Sequence, residues 1–549
     1  MSDNAEPPAL PVAPAPAKGR RHDLDALRAG AMLLGVALHA ALSFMPGMWP
    51  VHDRFENDAY AIFVSAVHGF RMPLFFLISG YFTAMLWRRR GLQALIAHRF
   101  KRIFLPLAVG MATIVPVTNW AFKWAAAAGS GNAGPKVDIW GAAAAGDNKA
   151  TARFLEQGAD IDGVQPNVET GPTPLILAVV YDRRETVVFL LEEGAKVNAR
   201  SRDGGGALHA AAFFGRADIA KLLLAKGADP EMRDHNGQRP VDVLAIDMGL
   251  TTFFASMIQL ELNEAEVEAG RAVIAEALGE APQDVAGARD AALGATIMML
   301  FFAPVFHHLW FLWMLCWLVA GFVLVAWLAE RLEWNHFPAR LTLSPWRFLW
   351  LFPITMIPQL MMGWTIPTFG PDTAAGWLPW PPVLIYYAVF FGFGAFYFEA
   401  GDKSGRLGRW WMALLPLALL VVLPVGLELT YESGEGEGRI PRKLLADALQ
   451  VCYVWMMSFG FMGLVRRLLH RESSRIRFIS DSSYWLYLAH LPLIVLAQGA
   501  VRDWDLPTAL KFTLICVGVT ALLLLTYRYL VRYTWVGALL NGRRSRQTA

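Results

Sequence analysis

The chain has 549 residues, 55% of them hydrophobic and only 17% charged, with 21 Trp, 34 Phe and a mean hydropathy of +0.37. Ordinary soluble proteins carry about 25% charged residues, so this composition excludes disorder, a collagen-like chain, a nucleic-acid tail and a single soluble globule. The net charge of +3 averages two unlike parts: residues 136–290 hold 25 acids against 15 Lys or Arg, and the basic excess elsewhere sits in short clusters beside apolar runs. That pattern is one of topology signals, not of a nucleic-acid surface.

From the start, Met1 to Lys18 is Pro/Ala-rich without an apolar core, and reads as part of a disordered cytoplasmic tail over 1–22 rather than a signal peptide. Apolar runs that reach or pass the ~20 residues needed to span a bilayer follow near 25–47, 60–86, 103–124, 308–329, 347–366, 381–399, 410–428, 444–465, 483–501 and 508–530. The expected fold is all-α, a polytopic bundle of about ten membrane helices. Spans one to three lie in 23–124, the rest in 301–535, and 536–549 forms a second cytoplasmic tail. With the N-terminus inside, inner segments carry 23 Lys or Arg and short outer loops 5. The positive-inside rule then places both termini in the cytoplasm.

Span one carries Asp25, Arg28 and His39. At ~100° per residue, Arg28 and His39 fall ~20° from a common face, ~16 Å apart along the axis. Such a polar stripe suits a substrate path. Span two carries His68 and Arg71, then Pro73 and Ser79-Gly80. Arg71 is too deep to reach the interface easily, so it needs a partner acid or an anionic ligand. Between Trp87 and Arg102 stand Arg88, Arg89, Arg90, Arg99, Lys101 and Arg102 with no acid. They serve as inner-face anchors, as a site for a polyphosphate such as coenzyme A, or as both.

Between spans three and four, Gly194-Ala195-Lys196 recurs as Gly227-Ala228-Asp229, and Leu175, Leu208 and Val241 share the same 33-residue period. With Thr173-Pro174-Leu175 and Ala207-Leu208-His209-Ala210-Ala211, this resembles ankyrin repeats over 136–246. Such repeats are binding scaffolds, so a protein partner is expected. Residues 247–300 read as a helical connector. Beyond it, His307 and His308 open span four, and His490 lies within span nine, after Ser482-Ser483-Tyr484. No His, Cys or acid spacing fits a metal motif, so no metal and no bound cofactor are expected. Cys316, Cys452 and Cys516 lie in apolar runs and suggest no disulfide.

Five motifs stand in order: Leu24-Asp25-Ala26-Leu27-Arg28 with His39, Phe70 to Phe82, Arg99 to Pro106, His308 to Leu312, and Ser482-Ser483-Tyr484 with His490-Leu491-Pro492. Together they resemble the acyltransferase 3 family of membrane acyltransferases, and most closely its glucan-modifying branch. The resemblance implies ten spans in a bacterial inner membrane, cytoplasmic acyl-CoA (acetyl-CoA or succinyl-CoA) as co-substrate, and an outward-facing glycan or glucan hydroxyl as acceptor. It also maps the family's Arg-x10-His element to Arg28 and His39. His39 would then be a general base or a transient acyl carrier, and Arg28 would orient the donor. Asp25, His68, Arg71, Ser79, His308 and His490 would line the acyl or acceptor pocket, Arg71 receiving a carboxylate if the acyl group is dicarboxylic. Arg88, Arg89, Arg90, Arg99, Lys101 and Arg102 would hold the phosphates. The ankyrin insert departs from the family pattern and would bind a partner or the acceptor on the periplasmic side. A transporter or sensor with the same insert is the alternative that the polar stripe alone leaves open.

Overall fold

The computed structural model describes residues 21–45, 49–127, 138–165, 170–258, 260–279, 297, 300–333, 338–364, 367–431, 439–469 and 473–542. Most of the first expected tail, the last part of the second (543–549) and part of the lead into span four lie outside the described residues. Among the described residues the chain is helical without strands. Eight helical stretches are long and apolar enough to cross a bilayer, as the hydropathy requires.

The stretch Asp58–Ala125 contains two of the expected spans. Gly91, at φ 77° and ψ 174°, breaks it. This left-handed φ is costly for a residue with a Cβ. Beyond it the chain doubles back, so that Arg99 Nη2 donates to Thr83 Oγ1 at 2.7 Å. A π-helical turn, Phe100–Phe104, then leads into Leu105–Ala127.

The expected span at 347–366 takes a different form. Its helix, Arg347–Leu360, has 14 residues and rises ~21 Å, short of a ~30 Å hydrocarbon core. Pro353 and Pro358 already interrupt its hydrogen-bonding, and Gly363, at φ 67°, and Pro367 oppose its extension. From Pro367 to Trp380 the chain is irregular backbone held inside the protein. The Gly370 N–H donates to Gln450 Oε1 (2.8 Å) and the Phe369 N–H to the Tyr431 hydroxyl (3.3 Å). Non-helical backbone at such depth is stable only where protein satisfies it.

Glycine sets the closest helix crossing. A Cβ on Gly80 would lie 1.9 Å from the Phe391 carbonyl oxygen, and one on Gly394 would lie 1.9 Å from that of Leu77. The second membrane helix and Pro381–Ala400 therefore pack backbone to backbone, the small-residue contact that membrane helices favour.

Between the third and fourth spans stand paired short helices: Ile139–Ala145 with Asn148–Glu156, Pro174–Val180 with Arg184–Glu192, and Ala207–Phe213 with Ala217–Ala225. Pro240–Val243 continues the stack on Ala207–Phe213 as a shortened fourth repeat. Glu264–Leu278, expected as connector, closes it as a cap, with Ile274 in the stack's core. Arg271 fastens this cap by donating to the Ile246 and Phe213 carbonyls (2.6 Å each) and to Thr251 Oγ1 (2.7 Å). The acidic composition of 256–290 concealed this docking face, which consists of Val267, Gly270, Arg271 and Ile274 at helical spacing.

At the edge of the bundle remote from the arginine cluster, Lys511 Nζ reaches both oxygens of Asp53 at 3.0 Å and the Arg502 carbonyl at 2.9 Å. Neither side chain of the ion pair is more than 1% exposed. Removing one partner strands the other charge, at a cost of about 3–5 kcal/mol. Asp53→Ala is therefore expected to lower the thermal-unfolding midpoint in detergent sharply, and Asp53→Ala with Lys511→Met to recover most of the loss.

Candidate active site

Span one, His22–Ala41, packs along Ser474–Val501, and a cavity of about 340 Å³ lies between them and their neighbours. One end is lined by His98, Arg99, Arg102 and Asn541, and the other by His39, Arg71, His308 and His490. Arg28, Ser79, Tyr484 and Tyr487 line the walls. Among the described residues no Asp or Glu contributes to the lining. A second chamber of about 390 Å³ shares Arg28, Ser79, His98 and Arg99 and adds Arg89 and Arg90, again without an acid. Three of the cavity's arginines, Arg71, Arg99 and Arg102, have no carboxylate partner among the described residues, which favours a polyanionic occupant.

Three histidines meet at the far end. The rings of His39 and His490 are 5.0 Å apart, and those of His490 and His308 are 5.1 Å apart. Hydrogen bonds assign their tautomers. His490 Nδ1 faces the Tyr487 and Leu486 carbonyls at 2.7 and 3.1 Å, so it carries the proton and donates. His490 Nε2 is then an acceptor and takes the His39 Nδ1–H at 3.1 Å, a proton shared with the Gly35 carbonyl at 2.9 Å. His39 Nε2 is left with a bare lone pair and no partner among the described residues. A basic nitrogen held in one tautomer, its other nitrogen fixed by acceptors, is what general-base chemistry needs.

Arg71 stands beside it. It is 9% exposed, its Nε is buried without a partner, and no acid pairs with it among the described residues. The buried salt bridge that would have made Arg71 structural is absent from the described residues. Its guanidinium crosses span one at Gly35, where an added Cβ would stand 2.0 Å from Nη1. Gly35 is one helical turn before His39, so the space that glycine leaves brings the cation to the imidazole.

Arg28 lines both chambers. It donates to the Ser480 carbonyl (3.0 Å) and Oγ (2.9 Å), and its Nη2 is 3.8 Å from Asp25. Asp25 is buried and lines neither chamber. His68 also lies outside them: its Nε2 is 2.9 Å from the Pro371 carbonyl and tethers the irregular segment after Leu360. The basic cluster divides. Arg99 and Arg102 line the main cavity, and Arg89 and Arg90 the side chamber. Arg88 is instead ion-paired with Glu399 and packed on the Trp87 ring, and Lys101 is exposed and lines neither space. Sequence reasoning missed Gly35, His98, Ser480 and Tyr487, and named Ser483 and Tyr484 only as part of a motif. The spacing of Ser480, Ser483, Tyr487 and His490, three or four residues apart, carried a usable signal of one helix face.

Residues 21–135 and 272–528, more than half of the chain, match a family described as an acyltransferase domain, the acyltransferase 3 family. Residues 139–234 match ankyrin repeats in three copies. Among curated proteins, glucans biosynthesis protein C of Escherichia coli strain SMS-3-5 / SECEC is 38% identical over 104 residues, and that of strain K12 is 36% identical over 104. Each alignment covers 19% of this chain and 26% of the relative.

The Gly35–Arg71 contact is open to a direct test. Gly35→Ala pushes the flexible end of one side chain and no backbone, so the fold should survive with little change in its thermal midpoint. The guanidinium must move off the imidazole. A tenfold or greater fall in transferase turnover is expected, on the scale of losing one preorganised charge contact. Unaltered turnover would detach Arg71 from the chemistry.

Proposed function

The chain belongs to the acyltransferase 3 family, and from that premise we propose that it moves an acetyl or succinyl group from acyl-CoA to a hydroxyl of a cell-envelope glycan. One observation carries this reading. A cavity with no acid among its described lining residues runs from Arg99 and Arg102 to the bare Nε2 of His39, with Arg71, unpaired among the described residues, beside it. The relatives' name, glucans biosynthesis protein C, supports a glucan as acceptor.

In this scheme the donor's phosphates rest on Arg99, Arg102, Arg89 and Arg90, and its thioester reaches into the cavity. His39 Nε2 takes the proton of the acceptor hydroxyl while the oxygen attacks the thioester carbonyl. The resulting oxyanion is balanced by the Arg71 guanidinium. The C–S bond then breaks, and the leaving thiolate recovers the proton from His39. Arg28, fixed by Ser480 and Asp25, positions the donor. Both termini lie in the cytoplasm of a bacterial inner membrane, which puts the arginine end of the cavity inside and the ankyrin stack outside, beside the arriving acceptor. The stack binds that acceptor or a protein that delivers it, raising its effective concentration.

The decisive experiment supplies purified full-length protein with acetyl-CoA or succinyl-CoA and follows CoA release. Mass spectrometry of envelope glycans from cells with and without the gene accompanies it. Solute uptake without CoA release would return the chain to a transport role. His39→Ala should lower transfer by about 10²–10⁴-fold, the usual contribution of a general base, with insertion and folding intact. Arg99→Gln with Arg102→Gln should raise the KM for acyl-CoA and weaken its salt dependence, because screened attraction is lost. An unchanged KM would leave both as anchors. Replacing 138–279, repeats and cap together, by a Gly/Ser linker should leave CoA release intact and reduce acylation of the natural acceptor in cells. Full acylation after that deletion would make the stack a tolerated insertion.

A further inference from the structure

Apart from the catalytic cavity, a crevice of about 390 Å³ lies where the last membrane helix ends, lined by Phe478, Arg528, Tyr529, Arg532 and Tyr533. The helix Thr508–Thr526 gives way there to a π-helical turn, Tyr527–Val531. Arg528 and Arg532 are four residues apart and line the same crevice. Each lies over aromatic rings: Arg528 is 5.4 Å from the Tyr529 centroid, and Arg532 is 5.8 Å from Phe478 and 5.4 Å from Tyr533.

Ring faces orient a guanidinium without occupying its N–H donors in the plane. Neither guanidinium has a hydrogen-bond or ion-pair partner among the described residues, and Arg532 Nε is buried without one. Among the described residues no acid lines the crevice. Beside it the surface is strongly apolar: Leu525, Tyr529, Leu530 and Trp535 are each more than half exposed. Two oriented, unpaired guanidiniums against an apolar surface match a phosphate whose substituents are hydrocarbon.

We infer that Arg528 and Arg532 bind a phosphate diester anion in this crevice, that of an anionic phospholipid whose acyl chains lie along Leu525 and Leu530. This site is independent of the acyl-transfer reading, since the lining it shares with the catalytic cavity is nil. Its occupancy bears on that cavity through the next element. Trp535–Asn541 follows directly, its Ala538 and Leu539 carbonyls accept from Arg102 Nη1, and its Leu540 and Asn541 line the cavity mouth.

The test is native mass spectrometry of the full-length protein titrated with phosphatidylglycerol. The wild type should retain the lipid, and Arg528→Gln with Arg532→Gln should lower its affinity by about fivefold per arginine removed. Arg331→Gln, which removes a basic residue packed on Trp327 outside the crevice, should leave it unchanged. Arg528→Lys with Arg532→Lys keeps the charge and guards against misfolding; it should fall between the two, because an ammonium lacks the planar fork. Equal loss in Arg331→Gln would reduce the effect to diffuse surface charge and overturn the site. So would wild-type retention in the double Gln variant. Displacement of the lipid by millimolar inorganic phosphate would assign the crevice to a free anion instead, overturning the lipid.

Discussion

A guanidinium buried in a helical bundle without an opposing carboxylate is the constraint on which the site depends. A charge at that depth costs several kcal/mol unless protein or water meets it. Arg71 has neither an acid nor a hydrogen bond to the described protein, and it faces a cavity that also holds Arg28, Arg99 and Arg102. Stability alone selects against such an arrangement unless water or an anion in the cavity meets the charge. The glycine at position 35 follows from the same constraint. Any larger residue there would occupy the volume through which the cation reaches His39.

The fold was largely legible because its signals are local. Hydropathy marks a membrane crossing by length, and a 33-residue period marks a solenoid by repetition. What escaped was set by tertiary context. Arg347–Leu360 is apolar enough to look like a span, yet prolines and glycines end it after 14 residues. Glu264–Leu278 is acidic on its free face and docks through Val267, Ile274 and the hydrogen bonds of Arg271, and only this second face matters to the stack.

The site divides in the same way. Arg28 and His39 were legible because eleven residues nearly close three turns of one helix. The contact of His39 with His490, 451 positions away, has no local signature. His68 and Arg71 look equivalent in sequence, three residues apart on one helix. Yet His68 is taken up by the Pro371 carbonyl, whereas Arg71 stays unpaired. Likewise Arg88 and Arg89 are neighbours, but Glu399 claims only the first of them among the described ion pairs. Composition alone could not separate the anchoring residues of that cluster from those that face the cavity.

One helix, Ser474–Val501, arranges most of these groups. Its Ser480 receives Arg28, its Tyr484 hydroxyl donates to the Arg102 carbonyl, its Tyr487 hydroxyl donates to the His308 carbonyl, and its His490 receives His39. Further along, Gln498 accepts from the Trp49 indole and donates to the His39 carbonyl. Pro492 adds a subtler element. Lacking an N–H, it cannot bond the carbonyl four residues back, which leaves Leu488 with an unclaimed acceptor in the helix interior. His308 Nε2 supplies that bond at 3.0 Å. The donation fixes the proton on Nε2 and leaves Nδ1 of His308 as a bare, buried acceptor. The backbone acceptor that Pro492 frees on Leu488 thus fixes the orientation and tautomer of His308, 180 residues from Leu488 in the chain.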